Sequence, residues 1–267
     1  MSSRLPFFSV IIPTHLRARF LKRALESIKS QISGYLVQVI VVSDVIDSAT
    51  DLVCNALLGP HDIYIRRGGV PGPSESRNLG LTVASGCYVF FLDDDDAWHP
   101  DFIRQLSEST RLDSVVPLYF NCTVAKESRG SNVFEISSEV LLNQSGSLTQ
   151  AVYIKNQIHM SCFVFPRGIL RGLLFDTHMR AYEDWDFLLF AFDRAFPEHV
   201  DILGSRVFEV DDETSDRRGA AAKATDFNAV LDYLYVYRRH PGATEAIKIG
   251  RRDLLASVGL QLSSEML

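Results

Sequence analysis

The chain has 267 residues, 46% of them hydrophobic and 22% charged, and carries a net charge of −6. This is ordinary globular composition with enough chain for one large core, and the acidic balance speaks against nucleic acid as a partner. A mean hydropathy of +0.05 and the lack of an apolar run near about 18 residues speak against a membrane span.

The opening segment, broken by Pro6 and Pro13, does not read as a signal peptide. FFSVII (7–12) is a continuous apolar run, as expected of a strand buried on both faces. Phe20, Leu21, Ala24, Leu25 and Ile28 then recur at helical spacing within 17–31. VQVIVVSD (37–44) reads as a second buried strand ending in Asp44, 49–58 as a helix and 62–68 as a third strand. Pro and Gly mark a loop at 70–73, and Ser74 is the expected cap of the next helix, which carries Arg77 and Asn78 and is closed by Gly86. CYVFFL (87–92) is a fourth strand that runs into four aspartates, Asp93 to Asp96. The alternation predicts a mostly parallel sheet with helices on both faces. Ligands bind beyond the carboxyl ends of such strands, where Asp44 and the aspartates lie.

The second half is less regular. Strands are expected within 113–124 and at 206–210, and NVFEI (132–136) and SCFVFPR (161–167) read as strands of an extra layer. A helix is expected over 182–196, with its acids crowded at the N-terminal end. A polar loop at 211–225 precedes a helix whose apolar face is Phe227, Val230, Leu231, Leu234 and Tyr235. Cys54, Cys87, Cys122 and Cys162 show no CxxC spacing, so reduced core thiols of a cytoplasmic protein are expected rather than a zinc site.

Four adjacent carboxylates are costly unless a cation neutralises them. Mg²⁺ or Mn²⁺, held by one or two carboxylates together with substrate phosphates, suits that chemistry. The competing reading is a solvated acidic turn capping the helix that begins near Pro100.

SVIIPTHLRARFLKRALESIKSQ, QVIVVSD, SESRNLGLTVASGCYVFFLDDDDAWHPDF and FDTHMRAYEDWDFLLF, in that order over residues 7 to 195, together resemble a family 2 inverting glycosyltransferase. The resemblance implies an α/β GT-A fold: a mostly parallel central sheet flanked by helices, with a smaller acceptor-side sheet and C-terminal helices. It implies a catalytic domain over 1–205, divided into a nucleotide-sugar half (1–112) and an acceptor half (113–205), followed by a lid loop and helices over 206–267. Pro13 and Thr14 then border the nucleotide and Asp44 meets its uracil, although Ser43 stands where the family has a second acid. Arg77 and Asn78 lie near the phosphates. The aspartates admit two registers, Asp93 with Asp95 or Asp94 with Asp96. The alignment favours Asp95 as ligand of Mn²⁺ or Mg²⁺, Asp94 on the ribose or donor sugar and Asp96 behind them. Asp184 matches the base that takes the acceptor's proton, with Glu183 beside it, while Trp185 and Asp186 pack and cap.

The implied partners are a UDP-sugar donor and a saccharide or lipid-linked oligosaccharide acceptor of surface polysaccharide assembly, met at the inner membrane face without a transmembrane anchor. Arg217 and Arg218 in the loop 211–219 are candidates to reach the diphosphate from a lid. Trp98 is either core or a wall of the sugar site, and His159 is either a lining residue of the acceptor site or a plain core or surface histidine. His240 ends a helix at His-Pro-Gly and is a weaker site candidate. Lys248, Arg251 and Arg252 beside Leu254, Leu255 and Val258 suit either a basic face for a membrane surface or an ordinary terminal helix. A sugar nucleotidylyltransferase is disfavoured because PTHLRARF lacks glycine, and a dehydrogenase because GxGxxG is missing. A non-catalytic nucleotide- or glycan-binding protein is the other alternative.

Overall fold

Apolar runs without alternation need cover on both faces, and β1 (Phe8–Thr14) and β2 (Val37–Ser43) receive it along their whole length. The computed structural model describes residues 7–31, 37–113, 115–129, 134–210 and 227–267. β1 pairs in parallel with β2 and with β4 (Tyr88–Phe91), and β2 with β3 (Ile63–Arg66). The connecting helices are α1 (Ala18–Lys29), α2 (Ser48–Leu57) and α3 (Pro73–Val83).

Alternate strand residues feed two cores, as a side-chain period of two requires. Val10, Ile12, Val39, Val41 and Phe90 pack with Leu21, Leu25 and Ile28 of α1. Ile11, Ile40, Val42, Val89 and Phe91 face the other way, toward Phe187 and Leu188 of α5 (Glu183–Arg194). α3 starts at Pro73, whose ring presets the first helical turn, so Ser74 lies buried inside the helix and not at its cap. Trp98 settles as core: it is 3% exposed, edge-on to Phe90 and Phe102.

The separate layer expected from NVFEI and SCFVFPR does not form. The second half supplies β5 (Ala97–Trp98), β6 (Leu118–Arg129), β7 (Phe134–Leu142), β8 (Phe163–Pro166) and β9 (Glu198–Val210). All join one sheet of order β3-β2-β1-β4-β8-β6-β9-β5, with β7 on β6. β8 runs antiparallel between β4 and β6. Phe163, Val164 and Phe165 are successive and all buried, and an interior slot covers both faces of such a strand. α4 (Phe102–Glu108), α6 (Phe227–Arg239) and α7 (Glu245–Ser257) complete the described helices.

Three further expectations are corrected. α6 is turned so that Val236 and Tyr237 are buried, while Leu231 and Tyr235 are exposed; the Tyr235 hydroxyl is held outside by Asp176. Arg251 is fully buried and donates to the carbonyls of Tyr153, His240 and Leu267, so it belongs to no basic surface face of α7. Cys87 is exposed, whereas the other three cysteines are buried. Among the described residues no helix is long and apolar enough to cross a membrane.

Gly86 lies where the chain enters β4 against β1. An added Cβ would come within 2.5 Å of the Ser9 nitrogen and 2.6 Å of the Phe8 carbonyl carbon. Gly86 N–H also donates to Ser9 Oγ, which donates to Gln38 in a buried polar knot. Gly86→Ala is therefore expected to cost about 2 kcal/mol or more through overpacking against backbone, read as a Tm fall of at least about 4 °C; an unchanged melting curve would show that β1 and β4 yield freely here.

Candidate active site

The site is built from three strand ends and one helix start. Thr14, at the end of β1, donates from Oγ1 to Asp94 Oδ2 at 2.7 Å; Pro13 beside it is buried. Asp44, just past β2, is 6% exposed, and its two oxygens meet His15 Nδ1 and the Gly72 N–H. Arg67 braces that corner from within. Its guanidinium donates to the carbonyls of Val70 and Gly72 and to Ser76 Oγ, fixing the loop before α3.

Arg77, on α3, is 4% exposed. It donates to Asp93 Oδ1 at 2.7 Å and to Glu183 Oε1 at 3.1 Å, so one guanidinium ties the tip of β4 to the start of α5. Phe175 lies 5.2 Å below it and stacks on Phe187. Burial alone would lower the Arg77 pKa, but Asp93, Glu183 and Asp184 outweigh it and hold the group charged. Among the described residues its Nε is buried without a hydrogen-bond partner. Asn78 is placed differently: its amide donates to the Phe175 carbonyl and accepts from the Phe175 N–H, so both ends serve the backbone.

The four aspartates occupy four environments. Asp93 is half-exposed. Asp94 is buried, and burial, followed by the charge of Asp95, pushes its pKa up to about 7 against the pull of Arg17 and Thr14. Asp95 accepts from Arg129 Nη2 at 2.9 Å and Arg17 Nη1 at 3.4 Å, both on Oδ2. Asp96 is sunk into the fold, bonded to Ser161 and to the Phe208 N–H, with its pKa raised by burial.

Tyr182 takes a left-handed backbone, φ 61°, and turns the chain into α5. The next residues, Glu183 and Asp184, thereby reach a cavity of about 950 Å³. Its walls are the 70–75 loop with Arg77 and Asp93 on one side and residues 177–184 on the other. Asp184 accepts from the Trp185 N–H at 2.7 Å. Burial and the adjacent Glu183 push its pKa up to about 6, although Arg77 opposes them. Trp185 is core, and Asp186 is a fully buried partner of Arg239 and His240; His240 is thus tied to the back of α5 and does not line the cavity. His159 is exposed. Arg217 and Arg218 lie outside the described residues.

Of the expected set, the cavity gathers Arg77, Asp93, Glu183 and Asp184. Asp44 reaches its wall only through Gly72, while Thr14 bonds Asp94, which is not among the residues lining it. Arg17, Arg23, Arg67, Arg129 and Glu127 were not singled out by the pattern of the sequence. Arg17 alone had a local signal, as a cation three residues past the end of β1.

Asp184 in its folded setting holds its proton to higher pH than in the unfolded chain. Its contribution to stability is therefore present below the usual aspartate range and is lost as pH rises through about 6. Asp184→Asn is expected to raise stability by roughly 1–2 kcal/mol at pH 8, allowing for partial exposure, and to leave it unchanged near pH 3.5; urea unfolding at the two pH values checks this.

Residues 9–163 match the sequence model of glycosyl transferase family 2. The chain is 26% identical over 234 residues to the GalNAc(5)-diNAcBac-PP-undecaprenol beta-1,3-glucosyltransferase of Campylobacter jejuni, covering 86% of this chain and 72% of that one. It is 28% identical over 193 residues to the succinoglycan biosynthesis protein ExoO of Rhizobium meliloti, covering 68% of this chain and only 54% of that one. The minor teichoic acid protein GgaA of Bacillus subtilis is spanned over 41% of its length. Among solved structures, S. aureus TarS 1–349 in complex with UDP-GlcNAc superposes with a TM-score of 0.63 at 17% identity, over 93% of this chain and 71% of that one. The mannosyltransferase PcManGT from Pyrobaculum calidifontis, in complex with GDP-Man and Mn²⁺, gives 0.59 at 17%, over 98% and 78%. These likenesses show the fold, a GT-A glycosyltransferase architecture. With the family match spanning more than half of it, the chain belongs to glycosyl transferase family 2.

Proposed function

We propose that the chain transfers a hexose from a nucleoside diphosphate sugar, with UDP as the nucleotide, to a hydroxyl of a saccharide acceptor, with inversion at the anomeric carbon. The observation that carries this reading is the shared cavity: Asp184, its pKa pushed up to about 6, borders the same space as Arg77 and Asp93. A carboxylate poised near neutrality is suited to take a proton from a hydroxyl, and a buried guanidinium with an unsatisfied Nε is suited to a departing diphosphate. The UDP-GlcNAc complex of TarS supports the choice of donor. The undecaprenol-linked acceptor named for the C. jejuni relative supports a lipid-linked oligosaccharide, met from the cytoplasm at the inner membrane face during polysaccharide assembly.

Among the described residues no three metal-ligating side chains converge. One or two carboxylates completed by phosphate oxygens are nevertheless a sufficient set for Mg²⁺ or Mn²⁺. Arg77 grips Oδ1 of Asp93, and Arg17 and Arg129 grip Oδ2 of Asp95, which leaves the other oxygen of each carboxylate outside these pairs. The raised pKa of Asp94, caused first by burial and then by the charge of Asp95, is not fully offset by Arg17. The donor set therefore fits a divalent cation held by Asp95, with Asp93 beside it, and the Mn²⁺ complex of PcManGT agrees. Such an ion supplies charge stabilisation to the leaving diphosphate.

The chain's own residues do the rest. Thr14 orients Asp94 toward the donor's ribose or sugar. Asp44, locked by His15 and Gly72, presents its edge to the base. Asp184 accepts the acceptor's proton as the hydroxyl oxygen attacks, and Glu183, fixed by Arg77, orients the acceptor. Residues 1–112 hold the donor in this scheme and 113–205 shape the acceptor side.

Two results are expected from a transfer assay run beside calorimetry of UDP binding. Asp184→Asn loses transfer by about 10³-fold or more and keeps its UDP affinity; the wild type shows an acid limb with an apparent pKa near 6, set by Asp184. Transfer retained by Asp184→Asn would remove Asp184 from the role of base.

A further inference from the structure

Three arginines surround Asp95, and they are not equivalent. Arg23 donates from Nη2 to the Asp95 carbonyl at 2.7 Å, pairs with Glu127 at 2.6 Å and lies 3.5 Å over the Phe208 ring. Arg129 donates to Asp95 Oδ2 at 2.9 Å, pairs with Glu127 at 3.0 Å and lies 4.5 Å over Phe20. Glu127 is fully buried. Each of these two guanidiniums is therefore anchored by a buried carboxylate and an aromatic ring as well as by Asp95.

Arg17 has no such anchor. Among the described residues its guanidinium meets Asp94 Oδ1 at 3.2 Å and Asp95 Oδ2 at 3.4 Å, both at the long end of hydrogen bonding. Its side chain is 36% exposed. It sits at the cap position of α1, where the side chain takes no part in capping. A side chain so placed changes rotamer without disturbing the core.

We propose that Arg17 is a resident counter-cation of the aspartate strip: in the empty site it neutralises Asp94 and Asp95, and when a divalent cation arrives with a diphosphate it yields that position and turns to the phosphates. This rests on the nucleoside diphosphate reading above. A guanidinium and a divalent ion repel each other across a few ångströms, so the metal alone must displace or tolerate Arg17. A diphosphate brings the anion that a displaced guanidinium pairs with well. Metal and nucleotide then favour each other's binding through this one side chain, and such coupling is reciprocal.

The test is a titration of Mn²⁺, with the free ion read by electron paramagnetic resonance, with and without UDP. It uses the wild type, Arg17→Ala and Arg17→Lys, each checked for a wild-type melting curve. Arg17→Ala is expected to bind Mn²⁺ alone about fivefold more tightly than the wild type, and its gain in Mn²⁺ affinity on adding UDP is expected to shrink about tenfold, the scale of one charge-assisted hydrogen bond. Arg17→Lys keeps the charge and is expected to stay within about twofold of the wild type for Mn²⁺ alone. Arg17→Ala binding Mn²⁺ alone no more tightly than the wild type, while the wild type still takes up Mn²⁺ with UDP, overturns the counter-cation role and leaves the diphosphate reading standing. A wild type that takes up no Mn²⁺ even with UDP overturns both.

Discussion

The Arg77 guanidinium is the interaction on which the site depends. It is reached from α3, holds Asp93 at the tip of β4 with one nitrogen and Glu183 at the head of α5 with another. These acids stand 90 residues apart in the chain and would repel each other without it. A cation buried to this degree is tolerated only when paired, and here the pairing fixes the spacing between the sheet edge and the proposed base. The Asn78 amide, one residue on, clips the Phe175 backbone to the same helix, and the Phe175 ring forms the floor under Arg77. Helix, floor and acids are thus one rigid unit.

Four identical residues in a row do four different things because the chain turns beneath them. The turn at 94–95, closed by the Asp96 N–H on the Asp93 carbonyl, sends Asp94 toward Thr14 and Asp96 toward Ser161 and the backbone of β9. Asp93 and Asp95 stay nearer the surface and meet arginines from opposite sides. The strip resembles a folded-in charge more than a uniform acidic loop: its two buried members resist ionisation, which lowers the repulsion that the two outer ones must bear.

Much of the first half was legible in the residues. Continuous apolar runs at 7–12, 37–43 and 87–92, with helical spacing between them, leave little choice but parallel strands and crossovers. Arg77, Asp93, Glu183 and Asp184 were named from motifs, and they do line one cavity. What the pattern could not carry was contact across long separations between elements of weak periodicity. Arg129 meets Asp95 only because the β6–β7 hairpin folds back over α1, and nothing local to KESRGSN announces it. Arg251 reads as a surface cation, yet backbone carbonyls from three distant segments satisfy it inside. Asn78 reads as a ligand and is spent on a backbone, since an amide matches a peptide group as readily as it matches a nucleotide. β8 is four residues long, too short for periodicity to tell an inserted strand from an outlying one.

The insertion of β8 between β4 and β6 has a consequence for synthesis. As the chain leaves the ribosome, β1 to β4 are complete once Phe91 has emerged and contain all the partners they need except on one side. The outer edge of β4, apolar on both faces, has no neighbour until Phe163 appears some seventy residues later. During that interval the nascent protein carries an unpaired, hydrophobic strand edge, the kind of surface that joins chains to one another. The half of the molecule that is simplest to read thus keeps an open apolar edge until β8 is made.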